Sequence, residues 1–319
     1  MKGLSEFLIE KKVFYDHNIP LSKKTWIKTG GMCECWITPD TRTQLIEVCM
    51  YLYHNNIKFD LVGQTSNIFF HSTYNPQVVV STVKVNNFEI ENDIIVCDCG
   101  VSVIKLAKEC LAKGYADFYG LVGLPGTVAS AVYNNSGCFD CSISSMLVSA
   151  DVLQPDGTIQ TMMKEDFCYS KRSSAFKRGE KEGVILSVKM KVEKAEDKKV
   201  EYIKAEETKI YRKNKQEGYL NNLGSVYGKR KYRQTFKNRL ASLLAKMMVL
   251  LGISKTRNRA QKMLLLKMYG YSDLDHYVSD RNINTYIWKD ALAEANFERY
   301  KDFMRKVFKD LNLEIEERI

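Results

Sequence analysis

The chain has 319 residues, 45% of them apolar and 27% charged, a balance that suits packed globular domains and excludes a disordered or low-complexity polymer. No apolar run approaches the ~18 residues a membrane-spanning helix needs. The net charge of +10 calls for an anionic partner: a nucleotide, a phospholipid surface or a nucleic acid.

The start of the chain is amphipathic, with an acidic residue and no long apolar core of a secretory signal, and residues 1–24 read as a helix and a loop broken at Asn18-Ile19-Pro20. Glu34 to Thr38 is a short strand. Thr41 to Asn55 spaces Leu45, Ile46, Cys49, Met50 and Leu52 as one helical face, and Phe59 to Val62 follows as a strand. Pro76 to Val83 is a buried strand; Phe88–Ile90 and Ile94–Cys97 form an antiparallel pair turning at Asn92-Asp93. Val101 to Lys113 is helical, with Gly114 as its C′ cap. Val148–Leu153, Ile159–Met163 and Val184–Val192 make a meander around the Pro155-Asp156-Gly157 turn. Lys194 to Lys199 is expected to be a linker. After it, Glu201 to Asn214 is helical, Gly218 to Tyr227 is loop then strand, Ala291 to Leu311 is an amphipathic helix and Leu313 to Ile319 a terminal strand.

Nine cysteines is an odd number, and the four histidines do not cluster with the single Cys138-x-x-Cys141 pair. Structural thiols in a reduced, cytosolic interior fit better than a metal site, and none is expected.

Gly120 to Gly137, GLVGLPGTVASAVYNNSG, concentrates glycine, proline and small residues where backbone would approach a ligand closely. Its Gly/Pro/Thr turn leads into a small-residue helix start, whose N–H groups are expected to meet an anion such as phosphate. Val62-Gly63-Gln64-Thr65-Ser66-Asn67, after a strand, is a second such loop.

These loops, with Thr25-Trp-Ile-Lys-Thr-Gly-Gly31, Asn135-Ser-Gly137, Arg172-Ser-Ser-Ala-Phe-Lys177, Gly224-Ser-Val-Tyr227 and Leu313-Glu-Ile-Glu-Glu-Arg318, run in register with the patterns of one family. The chain resembles a divergent UDP-N-acetylenolpyruvoylglucosamine reductase (UDP-N-acetylmuramate dehydrogenase, MurB). The resemblance implies an α+β protein. It would join a two-subdomain FAD-binding fold of the vanillyl-alcohol-oxidase (PCMH) type (1–79 and 80–193) to a C-terminal α+β substrate domain (200–319).

It implies an FAD enzyme that takes NADPH as co-substrate, reduces a UDP-sugar enolpyruvate and serves peptidoglycan synthesis in the cytoplasm. Another nucleotide sugar of surface-polysaccharide synthesis, or a flavin-binding scaffold without turnover, are the alternatives. By the same resemblance Ser225 protonates the carbanion, Glu316 lies on the other side of the substrate carboxylate and Arg172 stands near the serine. Lys28, Gly63, Ser66, Asn67, Gly123, Pro125, Gly126, Thr127, Asn135, Ser136 and Gly137 would hold FAD; Lys215 and Gln216 would hold the uridine diphosphate.

The chain departs from the family at Thr65, where a glycine is usual, at Lys171 for a tyrosine, at Glu217 for a proline, at Lys229 for an asparagine and at Asn282 for a histidine. Flavin positions are thus better kept than substrate positions.

The segment 229–262 has no counterpart in the family and holds eleven Lys or Arg with no acidic residue. Phe236, Leu240, Leu243, Leu244, Met247 and Leu251 form one apolar face among Arg233, Lys237, Arg239 and Lys246. Two readings stay open: a helix covering its own domain, or attachment to an anionic membrane surface, peripheral at its inner side. Nucleic acid is not expected, since aromatic interleaving and a recognised motif are both missing. As an insertion at a loop, the segment is expected to be dispensable for folding.

Overall fold

The computed structural model describes residues 2–218 and 221–319; Tyr219 and Leu220, within the expected loop after Gly218, lie outside the described residues. The chain divides into two compact units, the first made of Met1–Lys23, Gly31–Thr65 and Asn75–Lys209, the second of Lys24–Gly30, Ser66–Tyr74 and Ile210–Ile319.

The first unit opens with α1 (Lys2–Glu10), β1 (Phe14–Pro20), β2 (Met32–Thr38), α2 (Arg42–His54) and β3 (Phe59–Val62). Thr41 caps α2, its side chain accepting from Gln44 N, which removes one of the orphan N–H groups of the first turn. After β4 (Ile68–Phe70), which belongs to the second unit, β5 (Val78–Ser81) completes a mixed sheet of order β1-β2-β5-β3. β5 is buried at all four residues, as expected for a strand with parallel neighbours on both sides. The expected loop after α1 is instead β1, antiparallel to β2. Leu4 and Leu8 of α1, with Leu45, Val48, Cys49 and Leu52 of α2, pack on Cys35, Ile37, Val78 and Val80.

The second sheet of this unit is antiparallel, order β11-β10-β12-β7-β6, from β6 (Phe88–Glu91), β7 (Ile94–Asp98), β10 (Leu147–Leu153), β11 (Ile159–Met163) and β12 (Val184–Lys191). Asn92 and Asp93, both at positive φ, make the two-residue turn that matches strand twist. Between β7 and β10 run α3 (Val103–Ala112), α4 (Val128–Asn134), the small hairpin β8 (Gly137–Cys138) and β9 (Cys141–Ser142), and α5 (Ile143–Met146). Leu106, Ala107 and Cys110 of α3 and Val128, Ala131 and Val132 of α4 fill the core beside this sheet. The stretch expected to be a linker is tied down: Lys194 Nζ donates to Lys113 O and lies 3.7 Å from the Tyr115 ring, and Lys198 Nζ donates to Ala112 O. α6 (Lys198–Lys215) starts there.

The second unit contains β13 (Tyr227–Tyr232), α7 (Phe236–Leu250), α8 (Arg257–Tyr269), α9 (Ala293–Val307), β14 (Phe308–Leu313) and β15 (Glu316–Arg318). β13 pairs with β14, and β15 runs parallel to β4. The helix expected to reach Leu311 ends at Val307, and the chain turns directly into β14. Its core is aromatic. Tyr286 is stacked with Tyr277 and meets Trp288 edge-on at 4.9 Å, with Phe297 and Tyr300 on its other sides. Residues 229–262 take part in this unit: Ala241 enters the core, and Ala245, Ala260 and Lys262 are buried. These contacts speak against a dispensable insertion.

Candidate active site

Three of the recognised stretches meet in the first unit. Gly126 N donates to Gln64 Oε1 at 2.9 Å, and a Cβ added to Gly63 would come within 2.6 Å of Thr127 Oγ1, so the two glycine loops touch and Gly63 is glycine for want of space. Gly126 itself sits at φ +127°, a conformation that excludes side chains. The arginine loop is stapled to the end of α4. Asn135 Nδ2 donates to Ser170 O, Ser174 Oγ to Tyr133 O at 2.6 Å, and Lys177 Nζ to Asn134 Oδ1 at 2.7 Å.

The start of α4 is not the anion site expected from its sequence. Val128 N donates to Val101 O, Ala129 N to Cys99 O and Ser130 N to Thr127 Oγ1, while Thr127 N donates to Ser130 Oγ. With Gly126 N on Gln64, these five amides are all used inside the protein. Gly137 has its own reason to be glycine, since a Cβ there would lie 2.2 Å from Cys141 O across the β8–β9 hairpin. Gly123 and Pro125 are exposed, while Thr127 is buried and Ser136 half-buried.

Two non-glycine residues in these loops adopt left-handed backbone. Thr65, where the family has glycine, is at φ +54°, and Arg172 is at φ +59°. The latter is the third residue of a tight turn closed by Ser170 N to Ser173 O and Ser173 N to Ser170 O. A β-branched or long side chain there carries strain.

In the second unit Ser225 is held from both sides. Before it, Asn222 Oδ1 accepts from Gly224 N at 2.9 Å, an Asx turn, and Asn222 O accepts from Trp26 Nε1 at 3.0 Å. After it, the fully buried Asn284 takes Tyr227 N on its Oδ1 and gives its Nδ2 to Tyr227 O, while Asn284 O accepts from Val226 N. Glu314 N donates to Val226 O at 2.9 Å, which sets the Glu316 segment beside the serine. Glu316 N in turn donates to Asn67 O, and Asn67 Nδ2 to Glu314 O.

Glu316 is partly buried, with Arg318 Nη2 3.3 Å from its carboxylate. The neighbouring Glu317 is taken by Lys301 at 3.0 Å and His71 at 3.4 Å. The strand is paired with β4 and half-buried rather than a solvated run. Lys28, at φ +57°, is exposed on the Thr25–Thr29 turn. At the end of α6, Arg281 Nη1 donates to Lys213 O and Gln216 O, both at 2.7 Å, and Ser279 Oγ to Glu217 Oε1 at 2.5 Å.

Ser225 and Glu316 thus share the second unit with Lys28, Ser66, Asn67, Lys215 and Gln216, whereas Arg172 and the other flavin candidates lie in the first. Gln64, Tyr169, Ser174, Asn222 and Asn284 were not singled out from the sequence. Asn222, two residues before a glycine, carried the one readable signal, that of an Asx turn.

Burial pushes Cys33 up to about 11 and Cys35, Cys99 and Cys110 up to about 12, which keeps them protonated.

A bound FAD would suit the first unit. Asn135 Oδ1 and Tyr169 Oη are buried there with no hydrogen-bond partner among the described residues, a condition that a polar ligand relieves. The family described as FAD binding domain matches residues 33–163. UDP-N-acetylenolpyruvoylglucosamine reductase of Enterococcus faecalis is 31% identical over 54% of this chain and 57% of its own length. The protein of the same name from Caldicellulosiruptor saccharolyticus is 29% identical over 71% of each. The chain is similar to the proteins of this reductase family.

The crystal structure of the Thermus caldophilus UDP-N-acetylenolpyruvylglucosamine reductase (MurB) matches 96% of this chain and 98% of its own, at a TM-score of 0.64 and 18% identity. The reductase fold is therefore shared almost end to end, while the sequence alignment with the Enterococcus relative spans little more than half of that protein.

Proposed function

We propose that the chain is an FAD-dependent, NADPH-using reductase of UDP-N-acetylglucosamine enolpyruvate that yields UDP-N-acetylmuramate for peptidoglycan. The observation that carries this is the backbone bond from Glu314 N to Val226 O, which holds the Ser225 and Glu316 segments side by side. The flavin supplies the hydride when bound. Ser225 gives the proton to the carbanion carbon, Glu316 lies across the substrate carboxylate from it, and Arg172 supplies positive charge. Two asparagines fix the backbone on either side of the serine. In the first unit, Gly63, Gly126 and Asn135 line the flavin's approach; Lys28, Ser66, Asn67, Gly123, Pro125, Thr127, Ser136 and Gly137 are its further contacts. Lys215 and Gln216 bind the uridine diphosphate.

A second substrate within the same chemistry, another nucleotide sugar, is favoured by Glu217. Where the family has proline, its carboxylate accepts from Ser279 and joins the end of α6 to the 278–284 loop. For location, the reading is cytoplasmic and peripheral at an anionic membrane surface through 229–262. None of the described helices is long and apolar enough to cross a membrane.

The test is anaerobic. NADPH should bleach the flavin band of the purified protein, and the enolpyruvyl sugar should restore it with formation of UDP-N-acetylmuramate. Ser225→Ala should bleach normally and lose roughly 10²–10⁴-fold or more in the second half. Bleaching without reoxidation by this sugar moves the reading to another nucleotide sugar; absence of bleaching removes the enzyme.

A further inference from the structure

The apolar side of α7 faces out of its unit. Phe236, Leu243, Met247 and Leu250 are 78%, 57%, 47% and 85% exposed. Their spacings of seven, four and three residues put them within roughly 60° of one another around the helix, at about 100° per residue. The opposite side carries Asn238, Ala241 and Ala245, all buried, and Asn238 Nδ2 fastens the helix to Arg233 O and Val307 O. The orientation is therefore set by the small face. Leu251 and Ile253, either side of Gly252, extend the stripe past the helix end and are exposed as well.

Cations flank the stripe. Lys237 stands on one side, Arg239 and Lys246 on the other, and Lys255 follows in the turn, all exposed. From 218 to 272 the sequence contains no Asp or Glu. A contiguous apolar surface with a cationic rim and no anion suits one partner best, the interface of a bilayer with anionic headgroups. There the stripe leaves water and the flanking charges meet phosphates.

We propose that α7 lies in the plane of an anionic membrane surface, with Phe236, Leu243, Met247, Leu250, Leu251 and Ile253 seated among the acyl chains and Arg239, Lys246 and Lys255 at the headgroups. This rests on the surface-attachment reading of 229–262 and adds the mode: shallow insertion of one defined face rather than adsorption by charge alone. At about 22 Å for fifteen residues, the helix is long enough to anchor and too short to span.

The test uses the full-length flavoprotein in flotation with phosphatidylcholine vesicles and with vesicles containing phosphatidylglycerol, at low and physiological salt. Wild type should float with the anionic vesicles only. The triple variant Leu243→Ser, Met247→Ser, Leu250→Ser changes only exposed side chains, so FAD content and melting temperature should stay unchanged. Its partitioning should fall at least about tenfold, since each side chain contributes through its buried area. A Leu250→Trp variant should gain a blue-shifted emission, quenched by brominated acyl chains, above the background of the three native tryptophans.

If the triple variant floats as well as wild type and the new tryptophan is not quenched, while Arg239→Gln, Lys246→Gln, Lys255→Gln abolishes binding, then adsorption stands and insertion is overturned. If wild type ignores both vesicles, both readings fall. If wild type self-associates in sedimentation without lipid and the triple variant is monomeric, the face is an interface between copies and the proposal is overturned.

Discussion

Arg172 occupies a turn position that favours glycine. Its φ of +59° costs about 1–2 kcal/mol for an ordinary residue, and strain of this kind persists where the surrounding structure or function demands it. The loop is over-determined: Ser174, buried, and Lys177 fix it to the end of α4. Replacing the arginine by glycine relaxes the backbone and removes the charge. Arg172→Gly is therefore expected to melt no lower than wild type, while kcat/KM for the enolpyruvyl sugar falls at least about tenfold, the loss of one charge-assisted contact. If stability and activity fall together, the arginine is a structural residue of its turn. Thr65 tells the same story from the other side. The sequence flagged it as a departure, and the structure gives the reason why glycine is usual there.

Among the elements, the hairpins marked by a turn signal were the most legible, and β1 and β14 were not legible at all. The β6–β7 and β10–β11 hairpins announce themselves by Asn92-Asp93 and Pro155-Asp156-Gly157, whose backbone preferences fix turn and register together. β1 was hidden because Asn18 and Pro20 look like breakers. It is an edge strand, where proline at the end leaves no ladder bond unmade. β14 was hidden because no glycine or proline separates it from α9, and the apolar spacing runs on through Leu311. Its partner β13, eighty residues earlier in sequence by about that order, decides its state.

The Ser225 turn was legible as a motif, and Asn222 before it as an Asx turn, but the Asn284 clamp acts across 57 residues that no local pattern carries. A polar cluster on the second sheet shows how such distant contacts set stability. Asp151 of β10 accepts from Arg42 Nη2 of α2 at 2.8 Å, Thr161 Oγ1 of β11 at 2.8 Å and Ser187 Oγ of β12 at 3.0 Å. Burial opposes its charge, but these donors outweigh burial and leave its carboxyl below the usual carboxylate range. A carboxyl lowered by folding stabilises above its unfolded value and loses that contribution as pH falls through the folded one. Asp151→Asn should cost about 1 kcal/mol at pH 7, discounted for partial exposure. The gap to wild type should close as pH drops below about 4. A gap that is constant from pH 7 to pH 3 in thermal melts would show that the charge is irrelevant.

At the scale of the molecule, charge and core pull residues 229–262 in different directions. Removing its eleven cations from 48 would leave 37 against 38 acidic residues, so the whole positive excess resides in this one segment. From sequence that looked like an appendage, because charge is visible in a sequence and burial of a lysine is not. Yet Lys262 is almost fully buried, and its three protons are used by Asp275 O, Val278 O and the Asp280 carboxylate at 2.9, 3.1 and 2.7 Å. It thereby fixes the start of the loop whose Ser279 and Arg281 hold the end of α6, where the uridine diphosphate is proposed to bind.

Lys262→Met keeps the length of the side chain and removes all three bonds. Because Asp275 and Asp280 are half exposed, water can rehydrate their carboxylates, and the loss is chiefly that of the two carbonyl bonds. About 2 kcal/mol is expected, measured by denaturant unfolding. The variant should also raise KM for the UDP-sugar more than it slows flavin reduction by NADPH, since only the substrate end of the unit is loosened. Deletion of all of 229–262 removes four residues of β13 and the Asn238 fastening as well, and should give insoluble protein. A soluble, yellow deletion variant with wild-type melting behaviour would show that the segment is an appendage after all, and that Lys262 is buried without holding anything.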